Sequence, residues 1–524
     1  MKRITALLLA LALSLAGLAA LADGAKEIYS SSFTAGDDAW YARGAQRVYH
    51  TTEGTLRTEG RTSDWHSPGR DFPLIEGAEY ELSVEVLQND EDSASFMISI
   101  AHTLNGNETY ENLAFGTAKR GEWTTLTGTY TAGEFDRYVL YVETTNAPTL
   151  SYEIRNFTVT APNGEPEAKA TEPPMVIAAA EDIPSLKELY AGSFDFGAAV
   201  PQYAFSNPAL RELMISQFSI LTPENELKPD SVLDVPGSKK LVQDTGDETA
   251  VAVRFGGAEP LLKFAQENGI KVHGHVLVWH SQTPEAFFHE GYDTARPLVS
   301  REVMLGRMEN YIREVLTQTE AAYPGVIVSW DVVNEAIDDG TAWLRKTSNW
   351  YKTVGEDFVA RAFEFARKYA AEGVLLYYND YSTPYEPKLS GIVKLLEQLI
   401  AEGNIDGYGF QMHYSNGSGD NLIEPSVMMI DNALEKIAGL GLKLRVSELD
   451  IGAGKMTETA LTKQKEAFNA VMILMLQYAE QTEAVQVWGL KDDMSWRTGQ
   501  YPLLFDTNLN PKPAFYGVVE AIQD

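Results

Sequence analysis

Apolar runs alternate with amphipathic segments over residues 175–524. Eight runs read as strands: Asp195–Val200, Ser219–Glu226, Lys271–His280, Val326–Glu335, Val374–Asp380, Gly407–Tyr414, Leu442–Asp450 and Ala484–Leu490. Helical patterns lie between and after them: Pro208–Phe218, Glu259–Asn268, Arg301–Ala322, Phe358–Ala371, Lys388–Ala401, Ser426–Leu440, Leu461–Glu480 and Ala514–Ile522. Eight β-then-α units predict an α/β fold of the (β/α)8 or TIM-barrel type. The alternative is a doubly wound open sheet, which for a nucleotide would need a glycine-rich phosphate turn that the sequence lacks.

Residues 27–160 follow a different pattern, in which apolar and polar residues alternate with a period of two. Tyr80–Val86, Ser95–Ile100 and Tyr138–Glu143 are examples. Many short strands without a convincing helix predict a β-sandwich, here of a jelly-roll-like type. Residues 161–174 are rich in Pro, Ala and Glu, and we interpret them as a semi-extended linker between this domain and the domain at 175–524.

The first residues have the pattern of a secretory signal peptide. Lys2 and Arg3 precede an apolar run, and Ala20-Leu21-Ala22 forms a small-x-small cleavage site before Asp23. The alternative is a membrane anchor, because the run is almost long enough to span a bilayer. We expect residues 1–22 to be removed and the protein to be secreted and extracellular, with no membrane attachment after cleavage.

Charge and cysteine content exclude several classes of function. The 524 residues carry 42 Lys plus Arg against 74 Asp plus Glu, a formal net charge of −32. Nucleic-acid binders have a basic footprint, so a nucleic-acid partner is not expected. The absence of cysteine excludes disulfides, thiolate nucleophiles and Cys-ligated metals.

Polar residues concentrate at the ends of the predicted barrel strands, where the chemistry of such barrels lies. Glu335 and Glu448 end strands four and seven, which face each other across the mouth. Two carboxyls that flank a glycosidic bond can act as acid and as nucleophile or base in glycoside hydrolysis. The competing hypothesis is metal chemistry, because His273 and His275 form an HxH pair whose side chains point to one side of a strand.

The barrel resembles the family 10 glycoside hydrolases with xylanase activity over nearly its whole length. The resemblance rests on the runs TPENELK, HVLVWHSQTP, WDVVNE, GFQMH and SELD, and on two tryptophans, Trp488 and Trp496, eight residues apart. It implies a retaining double-displacement mechanism with Glu335 as acid/base and Glu448 as nucleophile. It implies no required cofactor and no metal in the active site.

The same resemblance assigns binding roles along the cleft. Asn334 would hold the 2-hydroxyl of the reacting sugar, and His413 would bridge Glu448 and Asp450. The pocket of the reacting sugar would be lined by His275, Trp279, Gln411 and Trp488. The next sugar would be held by Glu224, Asn225, Lys228 and Gln282, and Trp496 would close the cleft.

The N-terminal domain resembles the family 22 carbohydrate-binding modules. The resemblance rests on its position, its strand pattern and four residues that would bind sugar: Trp65, Tyr110, Tyr141 and Glu143. Such modules often hold structural calcium, for which the sequence identifies no ligands. A purely structural sandwich is the alternative.

The sequence is compatible with three functional hypotheses. The first is a secreted endo-β-1,4-xylanase, a monomer whose partners are xylan and xylo-oligosaccharides. The second is an enzyme that cleaves another β-1,4-glucan or a mixed-linkage polymer. The third is a polysaccharide-binding protein whose barrel no longer catalyses, against which the pair Glu335 and Glu448 weighs.

Overall fold

A computed structural model describes residues 25–31, 33, 39–44, 46–104, 107–166, 173–178, 182–419 and 421–523. The chain divides into two compact units, residues 1–171 and 172–524. The predicted signal peptide, residues 1–22, lies outside the described residues. In the part that is described, no helix combines the length and the apolar character needed to cross a membrane.

The N-terminal unit consists of two antiparallel sheets. The first contains, in spatial order, Arg47–His50, Leu56–Glu59, Tyr152–Ala161, Glu79–Gln88 and Thr124–Thr131, with Lys26–Ser31 paired to the third of these strands. The second contains, in order, Tyr41–Arg43, Ser67–Phe72, Arg137–Thr145, Ser93–Leu104 and Asn107–Lys119. Strand Glu79–Gln88 alternates between outward-facing and buried residues along its length, as a strand over a core must. The predicted β-sandwich is confirmed.

The second unit is a closed barrel of eight parallel strands. In chain order, barrel strands one to eight are Asp195–Val200, Ile220–Pro223, Lys271–Gly274, Ile327–Asn334, Leu375–Asp380, Gly407–Phe410, Lys443–Gly452 and Thr482–Val487. Each strand pairs with the next, and strand eight pairs with strand one, which closes the barrel. The predicted TIM barrel is confirmed.

Helices surround the barrel and connect its strands. They are Leu186–Leu189, Pro208–Gln217, Pro229–Val232, Val235–Thr245, Glu259–Asn268, Arg301–Ala322, Asn349–Val354, Phe358–Tyr369, Lys388–Glu402, Val427–Ala438, Glu458–Gln477 and Pro513–Ala521. Side-chain caps start several of them. The oxygen of Asn207, for example, accepts hydrogen bonds from the first backbone amides of Pro208–Gln217. Helix Lys388–Glu402 ends at Gly403, whose φ of 74° is readily adopted by glycine.

Four strands end three or more residues earlier than predicted: the predicted strands Ser219–Glu226 and Ala484–Leu490 stop at Pro223 and Val487, and two others stop where the chain turns over the barrel mouth. The predicted strand Lys271–His280 ends at Gly274, where a Cβ would lie 2.3 Å from the Trp330 ring. The predicted strand Gly407–Tyr414 ends at Phe410, because Met412 has a left-handed φ of 51°. Val278–Trp279 and His413–Asn416 then form separate short strands. The residues after these breaks leave the hydrogen-bonded strand ladder of the barrel, and their polar side chains lie at the barrel mouth.

The ends of the interval that we interpret as a linker pack against their own units. Ala161 ends the last sandwich strand, and Glu165 accepts a hydrogen bond from the Tyr80 hydroxyl at 2.7 Å. In the barrel unit, Pro174 forms an antiparallel β-bridge with Thr457, and the backbone amide of the next residue, Met175, donates to the carbonyl of Met456 at 2.6 Å. Residues 167–172 lie outside the described part of the chain.

Candidate active site

Two carboxyl side chains lie at the C-terminal ends of the barrel strands. Glu335 directly follows strand four, and Glu448 lies within the outer half of strand seven. Glu448 is only 5% exposed. Glu335 has a left-handed φ of 55°, and its backbone amide donates to the carbonyl of Asn379 at 2.9 Å. Strained backbone of this kind persists where its surroundings fix it, and it is frequent at active sites.

The Glu335 carboxyl is held by three N–H donors. The indole of Trp279 donates to Oε2 at 2.8 Å. The amides of Asn334 and Gln411 donate to Oε1 at 3.1 and 3.0 Å. The ring Nδ1 of His280 lies 4.0 Å from Oε2, and burial lowers the pKa of His280. The sequence thus brings Asn334, Trp279 and Gln411 together around one carboxyl.

The Glu448 carboxyl is held by an amide and an imidazole. Asn379 donates from Nδ2 to Oε1 at 2.8 Å, and His413 Nε2 lies 3.1 Å from Oε2. The same Nδ2 of Asn379 donates to Asn334 Oδ1 at 3.0 Å. A continuous chain of side chains, Asn379 and Asn334, therefore connects Glu448 to Glu335. Such coupling fixes both carboxyls relative to each other.

His413 lies between two carboxylates. Its Nδ1 is 2.8 Å from Asp450 Oδ2, opposite the Glu448 contact. Burial alone would lower the pKa of His413, but Asp450 and Glu448 raise it to about 10. Asp450 in turn accepts from Trp496 Nε1 at 3.0 Å and from Arg497 Nη1 at 2.5 Å. An imidazolium is thus placed directly beside Glu448.

A second group of polar side chains comes from the loops after strands two and three. The ammonium of Lys228 donates to Asn225 Oδ1 and to Gln282 Oε1, both at 3.0 Å, and lies 5.0 Å from the centre of the Trp279 ring. Burial lowers the pKa of Lys228 and raises that of Glu224. These residues, which the resemblance to family 10 assigns to the next sugar, form one cluster beside the carboxyls.

Aromatic rings border the space between these groups. The rings of His275 and Trp488 meet edge to face at 5.5 Å, and Trp496 lies 5.0 Å from the His413 ring. Trp488 is buried, whereas Trp496 is 61% exposed at the rim. Apolar rings with convergent polar groups are typical of a ligand site.

Both histidines of the HxH pair, His273 and His275, contact other side chains inside the barrel. His275 Nδ1 and His273 Nε2 lie 2.8 and 3.0 Å from the same oxygen of buried Asp331. His273 Nδ1 also contacts Ser329 Oγ at 2.7 Å, and burial together with Arg445 lowers the pKa of His273 to about 4. Over the described ranges, no group of three or more His, Cys, Asp or Glu side chains is arranged for a metal ion.

Three residues of the site were missed in the sequence analysis. They are Asn379, which links the carboxyls, Asp331, which orients His275, and Arg497, which contacts Asp450. Asn379 stands near the end of strand five, so the rule that chemistry lies at strand ends could have identified it. Arg497 directly follows Trp496 and had no comparable signal.

In the N-terminal unit, the four predicted sugar-binding residues differ in exposure. Trp65 and Tyr110 are 53% and 60% exposed, while Tyr141 and Glu143 are buried. The guanidinium of Arg43 lies 3.6 Å above the centre of the Tyr141 ring. Tyr141 therefore supports Arg43 and does not offer a free ring face.

Arg43 and Glu143 provide polar groups on this sheet face. The Nη1 of Arg43 is buried without a hydrogen-bond partner, and Glu143 Oε1 accepts from Ser99 Oγ at 2.7 Å. Burial raises the pKa of Glu143. Strand register places Tyr110 opposite Ala101, and Ala101 opposite Val139, which lies two residues before Tyr141. Tyr110, Tyr141 and Glu143 thus share one face of the second sheet.

Comparison with known families accounts for both units. Residues 185–521 match the sequence model of glycosyl hydrolase family 10, and residues 25–149 match that of a carbohydrate binding domain. The chain is 31% identical to endo-1,4-β-xylanase A of Thermotoga maritima over 96% of its own length and 47% of that protein. It is 39% identical to a putative endo-1,4-β-xylanase of Caldicellulosiruptor saccharolyticus over 51% of its length and 89% of that protein. The chain spans about half the length of the Thermotoga relative.

Solved structures give the same result. The CBM22-1 and GH10 modules of endo-1,4-β-D-xylanase 10B from Clostridium thermocellum, in complex with xylohexaose, are 28% identical with a TM-score of 0.58. That likeness covers 95% of this chain and 97% of the other. A xylanase from Thermoanaerobacterium saccharolyticum, solved with xylotetraose, is 32% identical with a TM-score of 0.57 and covers 65% of this chain and all of its own.

Proposed function

The chain belongs to glycosyl hydrolase family 10, and from this premise we propose that it is an endo-1,4-β-xylanase that retains the anomeric configuration. The observation that carries the proposal is the pair Glu335 and Glu448, which Asn334 and Asn379 connect at the barrel mouth. The names of the xylanase relatives and the xylo-oligosaccharides bound in similar structures support xylan as the substrate.

In the first step, Glu335 gives a proton to the glycosidic oxygen while Glu448 attacks the anomeric carbon. The bond to the leaving sugar breaks, and an ester forms between Glu448 and the remaining chain. The donors from Asn379 and His413 each contact a different oxygen of Glu448, so that the carboxylate is held in place for attack.

In the second step, Glu335 accepts a proton from water, and the water oxygen attacks the anomeric carbon from the opposite side of the ester. The bond to Glu448 breaks and restores the free carboxylate. Two inversions give net retention. The imidazolium of His413 faces Glu448 and stabilises the negative charge that returns to it.

Two variants test the roles of the carboxyls. Glu448→Ala should lose turnover, and added azide should partly restore it with an α-azide product, since a small anion fits the space left by the side chain. Glu335→Ala should keep activity on dinitrophenyl glycosides, whose leaving group needs no proton. The opposite pattern would reverse the roles, and an initial α-anomer in the NMR spectrum of the wild-type reaction would exclude retention.

A second candidate is cleavage of a β-1,4-glucan. One relative, 30% identical over 92% of this chain and 44% of its own length, is named exoglucanase XynX, from Acetivibrio thermocellus. Release of reducing sugar from xylan, carboxymethyl cellulose and lichenan separates the candidates. Activity on xylan alone supports the first, and equal or greater activity on either glucan supports the second.

For the N-terminal unit, binding of xylan is the proposed role. The match to a carbohydrate binding domain supports it, as do the exposed rings of Trp65 and Tyr110 and the unpartnered Nη1 of Arg43. Trp65→Ala and Tyr110→Ala should each weaken retention by xylan in affinity electrophoresis, because sugar rings pack on aromatic faces. Tyr516→Ala, an exposed tyrosine of the barrel unit, is the matched control. Unchanged migration of both module variants would refute a binding role for these rings.

Export, cofactor independence and a monomeric state complete the proposal. Residues 1–22 would direct export, which N-terminal sequencing of the protein from culture medium tests; a mature chain that still starts at Met1 would refute it. Full activity after extensive dialysis against EDTA would support cofactor independence, and its loss would point to a metal, including calcium in the module. The molecular mass of the purified protein in sedimentation equilibrium tests whether it is a monomer.

A further inference from the structure

Three consecutive backbone amides fix the chain at Glu335 and directly after it. The amide of Glu335 donates to the carbonyl of Asn379 at 2.9 Å. The next two amides, those of Ala336 and Ile337, donate to the hydroxyl oxygen of Tyr378 at 3.0 and 3.2 Å. Both acceptors belong to barrel strand five. One side-chain oxygen of the neighbouring strand therefore holds the turn that follows the left-handed backbone of Glu335.

The Tyr378 hydroxyl uses its full hydrogen-bonding capacity. A phenol has one O–H donor and two acceptor lone pairs. The two amides take the lone pairs, and the O–H donates to the carboxylate of Asp380. Tyr378 is buried, and burial together with Asp380 raises the pKa of the phenol well above its ordinary value, so the O–H keeps its proton. The hydroxyl cannot turn to another partner without the loss of a buried hydrogen bond.

A buried ion pair fixes Asp380 in turn. The ammonium of Lys388 lies 2.9 Å from Asp380 Oδ1 and 2.8 Å from Asp339 Oδ1. The backbone amide of Tyr381 donates to the same Oδ1 of Asp380 at 2.9 Å. Both Asp380 and Lys388 are buried, and the desolvation of two charges offsets much of their attraction, so the pair is weak evidence for stability. Its effect here is to fix the carboxylate to which Tyr378 donates.

We propose that Tyr378 is a positioning residue for the acid/base carboxyl and acts through the backbone of residues 335–337. This inference rests on the proposed function, in which Glu335 gives a proton to the glycosidic oxygen. The donors around its carboxyl orient the two oxygens, whereas Tyr378 fixes the backbone from which that side chain extends. Proton transfer requires hydrogen-bond reach, so a small shift of this carboxyl slows protonation more than it slows attack by Glu448.

Two aryl glycosides with the same sugar part isolate the protonation step. The leaving group of 2,4-dinitrophenyl β-xylobioside needs no proton, whereas that of phenyl β-xylobioside does. The value of kcat/KM on each covers the reaction up to formation of the ester. Tyr378→Phe removes the hydroxyl and keeps the ring. It should lower kcat/KM on the phenyl glycoside by about tenfold, a part of what a positioned general acid contributes, and leave the dinitrophenyl glycoside within about twofold.

Tyr190→Phe is the matched control. Tyr190 is buried as well, and its hydroxyl donates to the carbonyl of Val518 at 2.6 Å, on the last helix of the barrel unit. This variant loses a buried hydroxyl and should keep the ratio of the two kcat/KM values, even where its melting temperature falls. Should Tyr378→Phe not fold, Asp380→Asn takes its place. It keeps an oxygen for the Tyr378 hydroxyl but accepts more weakly, and it should change the ratio in the same direction by about threefold.

The outcomes separate this inference from the proposed function. Glu335→Ala, assayed in parallel, should change the ratio in the same direction and by more. A folded Tyr378→Phe or Asp380→Asn protein with the wild-type ratio would overturn the positioning role and leave the function standing. An equal loss on both glycosides would also overturn it, because general loss of packing slows both. Wild-type protein that cleaves neither glycoside, or a Glu335→Ala protein with an unchanged ratio, would overturn both.

Discussion

His413 offers a test of the electrostatics beneath the nucleophile. Its ring is enclosed between Glu448 and Asp450, and its pKa is raised from an ordinary value of 6.5 to about 10. A difference of this size corresponds to about 5 kcal/mol of folding free energy. Because the folded protein holds the proton more tightly than the unfolded chain, this stabilisation is complete below pH 6.5. It is lost as the pH rises from 6.5 through 10.

The perturbation is His413→Gln, which keeps a hydrogen-bonding group and removes the charge. The difference in unfolding free energy between wild type and variant should shrink by about 4 kcal/mol between pH 6 and pH 10. Urea unfolding followed by a barrel-specific signal measures it. A ¹⁵N NMR titration of the side chains gives the pKa directly, since the chain has 8 histidines and the variant identifies the missing resonance.

Two results would refute this reasoning. One is a His413 resonance that titrates near pH 6.5, and the other is a difference in unfolding free energy that does not change between pH 6 and 10. His50→Gln is the control. His50 lies on strand Arg47–His50 of the N-terminal unit, so this variant should leave the pH dependence of barrel unfolding as in the wild type.

Three further outcomes are expected. Asn379→Ala removes the amide that links the catalytic carboxyls, so kcat on soluble xylan should fall roughly 100-fold with little change in KM. This fall corresponds to an increase of about 3 kcal/mol in the activation free energy. A kcat within threefold of wild type would contradict the role of Asn379. Gly407→Ala should lower the free energy of unfolding by about 1–3 kcal/mol, because its Cβ would lie 2.3 Å from the Tyr377 ring, whereas Gly256→Ala, with open space around it, should be nearly neutral in the same thermal melts. Deletion of residues 1–174 should leave activity on soluble xylan and lower it on insoluble xylan, where a tethered module raises local concentration; undiminished activity on the insoluble polymer would argue against the module's role.

The sequence predicted the fold because its two periodicities are distinct. Strands of a parallel barrel are buried on both sides and read as continuous apolar runs, whereas sandwich strands alternate. Strand ends were less predictable. The stops at Gly274 and Phe410 depend on the Trp330 ring and on the left-handed backbone of Met412, neither of which leaves a mark in hydrophobicity.

The site was predictable where a residue stands at a strand end within a recognisable motif, as Glu335 and Glu448 do. Asn379 also stands near a strand end but in no motif that the sequence analysis recognised, and its role depends on partners 45 and 69 residues away in the chain. Arg43 was missed for a similar reason. It acts by stacking on Tyr141, a contact between distant strands that no local pattern encodes.

The left-handed backbone at Glu335 gives this position opposite requirements: activity needs the carboxyl side chain, whereas stability favours glycine. A side chain at a φ of 55° costs roughly 1 kcal/mol that glycine would not pay. A library randomised at this codon and sorted for heat resistance alone should therefore enrich glycine, and the survivors would be well-folded barrels that cannot protonate a leaving group. Directed evolution of this chain toward higher temperature consequently needs an activity screen in every round, because a substitution at position 335 that stabilises the fold removes the activity.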